Sequence, residues 1–433
     1  MKESDARAAA APAGEPAGVP HEALAPLGWD GIGATLILLV AAAPVRDWVS
    51  DHSIVPVLFR VLWWLIYLAV VARLFQEFGT AWLRWTIRYQ PALCALLAVT
   101  FASCLWSLAP ALTLQKAASL LGTTLVGVWI GSTGPPQRVM RILYWTFTLL
   151  ILSSIVVALA LPLPVAEAEP MGWRGIMDNR NSFGAAAALA AVFFLIVTLR
   201  RRGHPLWGAT LCALSVFAVT EARSRTAFVA LAVCLVAWVC MAVASVTRRP
   251  IHALVQVLSI WLVLGVSVVP FLVGLLGTVL GGPDPLNART EIWAGSLAIL
   301  RERPLTGYGY AAVWGRAEAT LLPQVEVTAR PFALTAHNSI MNVASELGIP
   351  AAIVAGVYLF GALSRAGQLC ERAPSAFSLF ALVCLIGITV MGFAEAHLLQ
   401  IHWLFWILVV ALTVTTRRVL NGGTAPARSG TEQ

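Results

Sequence analysis

The residues best suited to chemistry stand at the start of one apolar segment. Ala336-His337-Asn338 opens this segment, and Asn342 and Glu346 follow at intervals of four residues. Residues four apart share one face of a helix, and polar groups inside a membrane span normally face the interior of the bundle. For Asn342 the alternative role is interhelical hydrogen bonding. An accessible imidazole accepts a proton near neutral pH, so His337 is the candidate general base.

Arginines at the ends of apolar segments form a second set of candidates. Glu221, Arg223 and Arg225 share a turn that has almost no loop to solvate three charges. Such an arginine either extends to the membrane interface or binds an anion, and its planar fork suits phosphate. Arg174 and Arg180 flank another connection just before an apolar segment. Together these arginines are candidates to neutralise a diphosphate without a metal.

The elements that must position these residues are membrane-spanning helices. The chain has 433 residues, 59% of them hydrophobic and 12% charged, whereas soluble domains carry about 25% charged residues. Long apolar runs reach the ~20 residues that cross a bilayer as a helix. We therefore expect an all-α polytopic membrane protein and no nucleic-acid partner. The predicted spans are about twelve, at 29–45, 54–72, 91–108, 112–131, 142–162, 183–199, 205–220, 226–246, 252–277, 336–363, 376–394 and 399–416.

The distribution of basic residues predicts the orientation. Alternate connections contain most of the 29 lysine and arginine residues, and such an excess in short loops marks the cytoplasmic side. Both termini are then cytoplasmic, and the candidate site faces the other side. We expect disordered cytoplasmic tails at 1–28 and 419–433 around a transmembrane domain at 29–418.

One outer loop, 278–335, is long enough to expect a function. Within it, Arg289–Arg303 has the spacing of a helix with one apolar stripe, which favours a position on the membrane surface. Pro304 and a Gly-Tyr-Gly turn at 307–309 follow the helix. The loop is therefore predicted to be partly helical and periplasmic.

No metal or cofactor is expected. The seven cysteines lie in or beside apolar runs without CxxC spacing, which is typical of packing residues. Glu167, Glu169 and Asp178 come nearest to a metal-ligating group, and solvated loop charge accounts for them better.

Five blocks of sequence, in chain order, resemble the O-antigen ligase family and the related O-antigen and exopolysaccharide polymerases. They are WSxxPxxT at 106–113, Gly…Asn-x-Asn…Gly at 175–184, Ser-Arg followed by small residues at 224–227, Arg-x-x-x-Trp at 289–293 with Pro-Leu-x-Gly-x-Gly at 304–309, and His-Asn at 337–338 with Glu-x-Gly at 346–348. Each block alone is weak. All five in order, from about Trp106 to Glu395, identify the group.

The resemblance implies a metal-independent membrane transferase with a fold like that of GT-C glycosyltransferases. Its donor would be O-antigen polysaccharide on undecaprenyl diphosphate. Its acceptor would be a terminal sugar of lipid A–core, so that lipopolysaccharide forms at the periplasmic face of the bacterial inner membrane. The resemblance assigns the base to His337 and diphosphate binding to Arg225 and Arg289, whereas Arg174 and Arg180 match less closely. Asn338 would orient the base.

Two alternatives remain at this point. A polymerase of the same group shares these motifs, although the chain length, the moderate outer loop and the block at 289–293 favour a ligase. A flippase or transporter of a lipid-linked glycan would also use arginines and a polar helix face. Transporters usually contain internal repeats, and the sequence contains no convincing one.

Overall fold

A computed structural model describes most of the chain as a bundle of α-helices. The described residues are 27–42, 54–160, 172–200, 204–247, 255–256, 258–265, 268, 289–314 and 335–422. The predicted tails therefore lie almost wholly outside the described residues, as do 278–288 and 315–334 of the predicted loop. The helices are α1 Trp29–Ala42, α2 Ile54–Phe78, α3 Ala81–Tyr89, α4 Pro91–Ala102, α5 Pro110–Ser132, α6 Pro136–Ala160, α7 Arg180–Leu199, α8 Pro205–Ala222, α9 Arg225–Thr247, α10 Arg289–Glu302, α11 Ser339–Arg372, α12 Ala376–Met391 and α13 Leu404–Leu420.

Several of these helices can cross a membrane. Seven helices in the described part of the chain are long and apolar enough, and α3 with α4, which meet at a bend of 99°, would form an eighth span. Helices α1 and α12 are apolar but shorter. For the described residues the helical architecture with several candidate membrane spans is confirmed, while the number of about twelve spans and the GT-C-like fold stay predictions. Most of the predicted span 252–277 lies outside the described residues.

Helices α5 and α13 pack closely side by side, and their first and last turns mark the two ends of the bundle. A Cβ added at Gly131 would lie 2.6 Å from the Ala411 carbonyl oxygen, and one at Gly127 2.9 Å from that of Ile407. Small residues four apart let two membrane helices approach in this way. At the far end of both helices, Arg418 donates a 2.9 Å hydrogen bond to the Ser132 carbonyl. Their other ends begin beside the candidate site.

Helix α11, which contains most of the predicted span 336–363, is broken near the end that lies beside the candidate site. Gly348 has φ +84° and ψ +169°, a conformation that favours glycine. The turn at 304–309 packs into the break, because the Gly309 N–H donates to the Glu346 carbonyl at 2.9 Å and the Ile349 N–H to that of Pro304 at 2.8 Å. A side chain at Gly348 would collide with the Leu305 carbonyl. The break therefore separates a short entry segment, 339–347, from the long remainder of α11.

The turn at 304–309 also contacts a third block of the sequence. The Trp106 indole N–H donates to the Thr306 carbonyl at 2.9 Å, and the Leu108 N–H to that of Tyr308 at 3.0 Å. Three of the blocks that suggested the family resemblance thus meet in space. Together they hold the entry segment of α11.

Helix α10 confirms the helix predicted near Arg289–Arg303, but its apolar stripe has a different environment. Ile292, Trp293 and Leu300 are buried against the protein. The Trp293 indole donates a 3.0 Å hydrogen bond to the Ala336 carbonyl, next to His337. The expectation that this stripe contacts the membrane surface is therefore wrong, because the turn at 304–309 and the start of α11 cover the stripe. Helix α10 supports the site.

Candidate active site

His337 lies at the entrance to helix α11 in a strained backbone conformation. Its φ is +46°, which is uncommon for a residue other than glycine, and such conformations cluster at functional sites. The following residue, Asn338, caps the N-terminus of α11, because its Oδ1 accepts hydrogen bonds from the N–H groups of Ile340 and Met341. The imidazole is 32% exposed. A substrate can therefore reach it.

Glu395 is the partner of this imidazole and the centre of the site. It lies in the connection between α12 and α13. Its Oε2 is 3.0 Å from Nδ1 of His337, and its Oε1 accepts from Arg289 Nη2 at 3.0 Å and from Asn181 Nδ2 at 2.8 Å. An ionised carboxylate only accepts hydrogen bonds, so Nδ1 carries the proton, and Nε2 is the nitrogen that accepts a proton when the ring acts as a base. The carboxylate thus orients His337 as a base.

The connection that carries Glu395 is fixed to the start of α11. The Ser339 hydroxyl donates to the Glu395 carbonyl at 3.1 Å and accepts from the His397 N–H at 2.9 Å. The Asn338 amide donates to the Phe393 carbonyl at 3.2 Å. These bonds hold the imidazole and the carboxylate in register although 58 residues separate them in sequence. Asn338, expected to orient the base, also fixes the two segments to each other.

Charge at the site keeps Glu395 ionised. Burial raises the pKa of its carboxyl, but the hydrogen bond with His337 and the positive charges of His337 and Arg289 together hold that pKa below its ordinary value. The neighbouring His397 is only 1% exposed, and burial lowers its pKa to about 4. It is neutral at pH 7 and closed to substrate, which leaves His337 as the accessible imidazole beside the carboxylate.

Three predicted arginines lie next in sequence to residues of the hydrogen-bond network around Glu395. Arg180 and Arg225 begin helices α7 and α9, and Arg223 ends α8. The Ser224 hydroxyl donates to Asn181 Oδ1 at 2.9 Å, and Asn181 in turn donates to Glu395. Arg180 and Arg225 are therefore each one residue away in sequence from a side chain of the Glu395 network.

A fourth arginine, Arg174, belongs to the same end of the bundle. The Trp173 N–H donates to the Glu221 carbonyl at 2.8 Å, which joins the connection before α7 to the turn between α8 and α9. Among the described residues, Arg174, Arg180 and Arg225 form no ion pair with a carboxylate. Their charge is available for an anionic substrate.

Arg289 differs from these four. Its Nη2 pairs with Glu395, and its Nε donates to the Ala394 carbonyl at 3.2 Å. Two of its donor nitrogens are therefore occupied within the site, while Nη1 makes neither of these bonds. Arg289 holds Glu395 in place whether or not it also contacts a diphosphate.

Asn342 and Glu346 share one helix face, as predicted, but they face inward and away from solvent. The Asn342 amide donates to Glu346 Oε1 at 3.3 Å, and its oxygen accepts from the Ala336 N–H at 3.1 Å. Glu346 is 5% exposed and also accepts from the Ala311 N–H. Both side chains tie the entry segment to its surroundings. The bonds of Asn342 are local ones within residues 336–346 rather than the interhelical ones considered as its alternative role.

The two central residues that the sequence did not single out are Glu395 and Asn181. Glu395 lies in Gly-Phe-Ala-Glu-Ala-His at 392–397, an apolar stretch where an ionisable group is costly and marks a functional site. That signal was available. Asn181 belongs to an Asn-x-Asn pair in which Asn179 caps α7, accepting from the Ser182 N–H at 2.9 Å. No group of three or more metal-ligating side chains occurs within the described ranges.

One comparison with known proteins bears on this site. Residues 210–356, about a third of the chain, match the family model described as O-antigen ligase. The matched part contains Arg223, Arg225, Arg289 and His337, whereas Asn181 and Glu395 lie outside it. No curated protein matches the chain. The resemblance to this family is confirmed for this part of the chain, and the match supports a function of the O-antigen ligase or polymerase type.

Proposed function

From the family match and the geometry around Glu395, we propose that this chain is an O-antigen ligase. It transfers polysaccharide from undecaprenyl diphosphate to a sugar of lipid A–core. The single observation that carries the proposal is the His337–Glu395 pair, an exposed imidazole with an oriented acceptor nitrogen beside arginines at the end of a membrane bundle. A base of this kind contributes about 10²–10⁴-fold to a reaction that deprotonates a hydroxyl.

The proposed reaction is a direct displacement. The acceptor hydroxyl oxygen forms a bond to the anomeric carbon of the donor, and its proton passes to Nε2 of His337. The bond between that carbon and the diphosphate oxygen breaks, and its electron pair leaves with undecaprenyl diphosphate. One displacement inverts the anomeric centre.

Arginines supply the second part of the chemistry. Negative charge grows on the leaving diphosphate, and preorganised positive groups stabilise charge that develops in the transition state. Arg225, with Arg174, Arg180 and Arg223 near it, provides this charge. Arg289 acts chiefly through Glu395. On this proposal the reaction needs no metal, because guanidinium groups neutralise the diphosphate.

The deciding experiment is a transfer assay with purified protein, lipid-linked polysaccharide and lipid A–core, without ATP and with EDTA. We expect conjugation of polysaccharide to lipid A–core. Extension of the glycan without use of lipid A–core would instead identify a polymerase. Movement of the donor across a vesicle membrane without bond formation would identify a flippase. Loss of activity in EDTA that a specific divalent ion restores would contradict metal independence.

The proposal also requires the site to face the periplasm of the inner membrane, with both termini cytoplasmic. Single cysteines at positions 174 and 225, in a chain freed of its seven cysteines, should react with an impermeant thiol reagent added outside the inner membrane. Cysteines at 202 and 248 should stay unlabelled. Labelling at 202 but not at 225 would reverse the orientation.

A further inference from the structure

A second cluster of arginines lies at the opposite end of the bundle, where α5 and α13 end. It borders a cleft of about 390 Å³ between helices α1, α2 and α6. The cleft is lined by Leu27, Gly28, Trp29, Asp30, Gly31, Arg73, Arg138 and Arg141. None of these residues belongs to the candidate active site.

Positive charge exceeds negative charge among the groups described at this cleft. The one carboxylate that lines the cleft is that of Asp30. It forms an ion pair with Arg73, and this pairing offsets the repulsion between Asp30 and an anionic ligand. Arg138 and Arg141 are left to face the cleft, and Glu77 is a further carboxylate close to Arg138. Arg418 lies at the same end of the bundle, close to Arg138, and adds another positive charge.

The two cleft arginines are held differently. Arg138 is fixed, because its guanidinium lies 5.5 Å from the Trp129 ring centre and donates to the Thr133 carbonyl at 3.3 Å. The Nε of Arg141 is buried and has no hydrogen-bond partner among the residues that the structure describes. A buried donor without a partner is costly.

The surroundings of the cleft indicate the kind of anion. Trp29 is 87% exposed, and Ile32, Leu36 and Phe75 continue the exposed apolar surface along α1 and α2. On a helix that crosses a membrane, such a surface contacts acyl chains. A phosphate held by Arg138 and Arg141 would thus lie at the interface, with apolar surface running from it into the bilayer. A soluble phosphate would make no use of that surface.

We propose that this cleft binds the phosphodiester headgroup of an anionic phospholipid. Arg138 and Arg141 hold the phosphate, Trp29 lies at the interface, and the acyl chains follow Ile32 and Leu36. Basic pockets between membrane helices bind such headgroups by this chemistry. The site is separate from the proposed transfer reaction, and its binding can be measured without a glycan substrate.

Native mass spectrometry of the detergent-purified protein can test this proposal. The protein is titrated with phosphatidylglycerol or with phosphatidylcholine that has the same acyl chains. We expect the wild-type protein to bind phosphatidylglycerol about tenfold more tightly, because only its headgroup has a net negative charge. Inorganic phosphate at tenfold molar excess should not displace the lipid. Equal binding of the two lipids, or displacement by phosphate, would overturn the proposal without use of any variant.

Three variants locate the lipid. Arg141→Gln should lower the affinity for phosphatidylglycerol about tenfold, since it removes a charge-assisted contact, and leave phosphatidylcholine unaffected. Arg372→Gln, an exposed arginine at the end of α11, is the matched control and should bind like wild type. Arg225→Gln should also bind like wild type. Loss of affinity in Arg225→Gln but not in Arg141→Gln would place the lipid at the candidate active site and contradict the proposal.

Discussion

Two glutamates in apolar surroundings, Glu395 and Glu346, have opposite settings. Each accepts a hydrogen bond from an asparagine amide, at 2.8 Å from Asn181 and at 3.3 Å from Asn342. The remaining described side-chain partners of Glu395 are His337 and Arg289, and His337 is open to solvent. Glu346 is closed in by the turn at 304–309 and has only neutral donors among the described groups.

The difference separates a structural carboxylate from a functional one. A buried polar group that is fully hydrogen-bonded to neutral groups makes a local structure rigid. A carboxylate that links an accessible imidazole to an arginine sets the protonation and orientation of a base. Burial alone does not distinguish the two glutamates. Their partners do, and the following predictions test the distinction.

The largest effect is expected at His337. His337→Gln keeps a polar side chain of similar size but cannot accept a proton near neutral pH. We expect normal membrane insertion, donor binding like that of wild type, and turnover lower by about 10²-fold or more. Turnover of donor already bound, measured beside donor affinity, separates these effects. Weak donor binding with normal turnover would make His337 a substrate ligand, and wild-type values for both would remove it from the mechanism.

Glu395→Gln should have the next largest effect, a decrease in turnover of about 10–10²-fold. The amide can no longer carry the charge that stabilises protonated His337, although it keeps the shape of the side chain. Glu346→Gln is the matched control, and we expect its turnover to stay within about threefold of wild type. Equal losses in the two variants would mean that both glutamates are structural.

The pH dependence of stability gives a second measure of Glu395. Because its pKa is lowered in the folded protein, its contribution to stability is present above the ordinary carboxyl pKa. The contribution is lost as the pH falls through the lowered pKa. The wild-type thermal midpoint should therefore exceed that of Glu395→Gln at neutral pH, and the difference should shrink on acidification. A difference that grows toward low pH would contradict the direction of this shift.

The sequence predicted the elements of this fold better than their contacts. Apolar runs of about 20 residues and the spacing of the basic connections predicted the long helices, and the order of polar residues pointed to His337. The break at Gly348 was missed although Gly348 and Pro350 are visible in the sequence, since the apolar pattern continues across them. The turn at 304–309, which fills the break, comes from a distant part of the chain.

Partners separated in sequence could not be predicted in the same way. His337 and Glu395 are 58 residues apart, and Asn181 and Glu395 are 214 residues apart. Only the packing of α7, α11 and the connection after α12 brings them together. Arg289 illustrates the consequence, because its motif suggested a phosphate ligand while the fold pairs it with a carboxylate. Which anion an arginine contacts depends on these long-range contacts.

Arg225→Lys should lower activity about tenfold, a smaller effect than those at the base. Lysine keeps the charge but loses the fork that holds two phosphate oxygens, so the affinity for the lipid-linked donor should fall with activity. Arg301→Lys is the matched control, since Arg301 is exposed in the last turn of α10. From the sequence, Arg316→Ala and Arg330→Ala should also be tolerated, although these two residues lie outside the described part of the chain. Wild-type activity in Arg225→Lys would contradict recognition by the fork.

The smallest effect on chemistry is expected on the structural side of the comparison, at Asn342. Asn342→Ala removes the acceptor for the Ala336 N–H and a donor to Glu346, leaving two buried polar groups with fewer partners. Each such loss costs about 1–3 kcal/mol, so the thermal midpoint should fall. The Glu395 network does not include Asn342, and the turnover of the folded variant should stay within about threefold of wild type. Thermal unfolding and turnover per folded molecule, measured on the same preparation, test both statements. A stable variant with a tenfold loss of turnover would place Asn342 in the catalytic site and remove the distinction between the two glutamates.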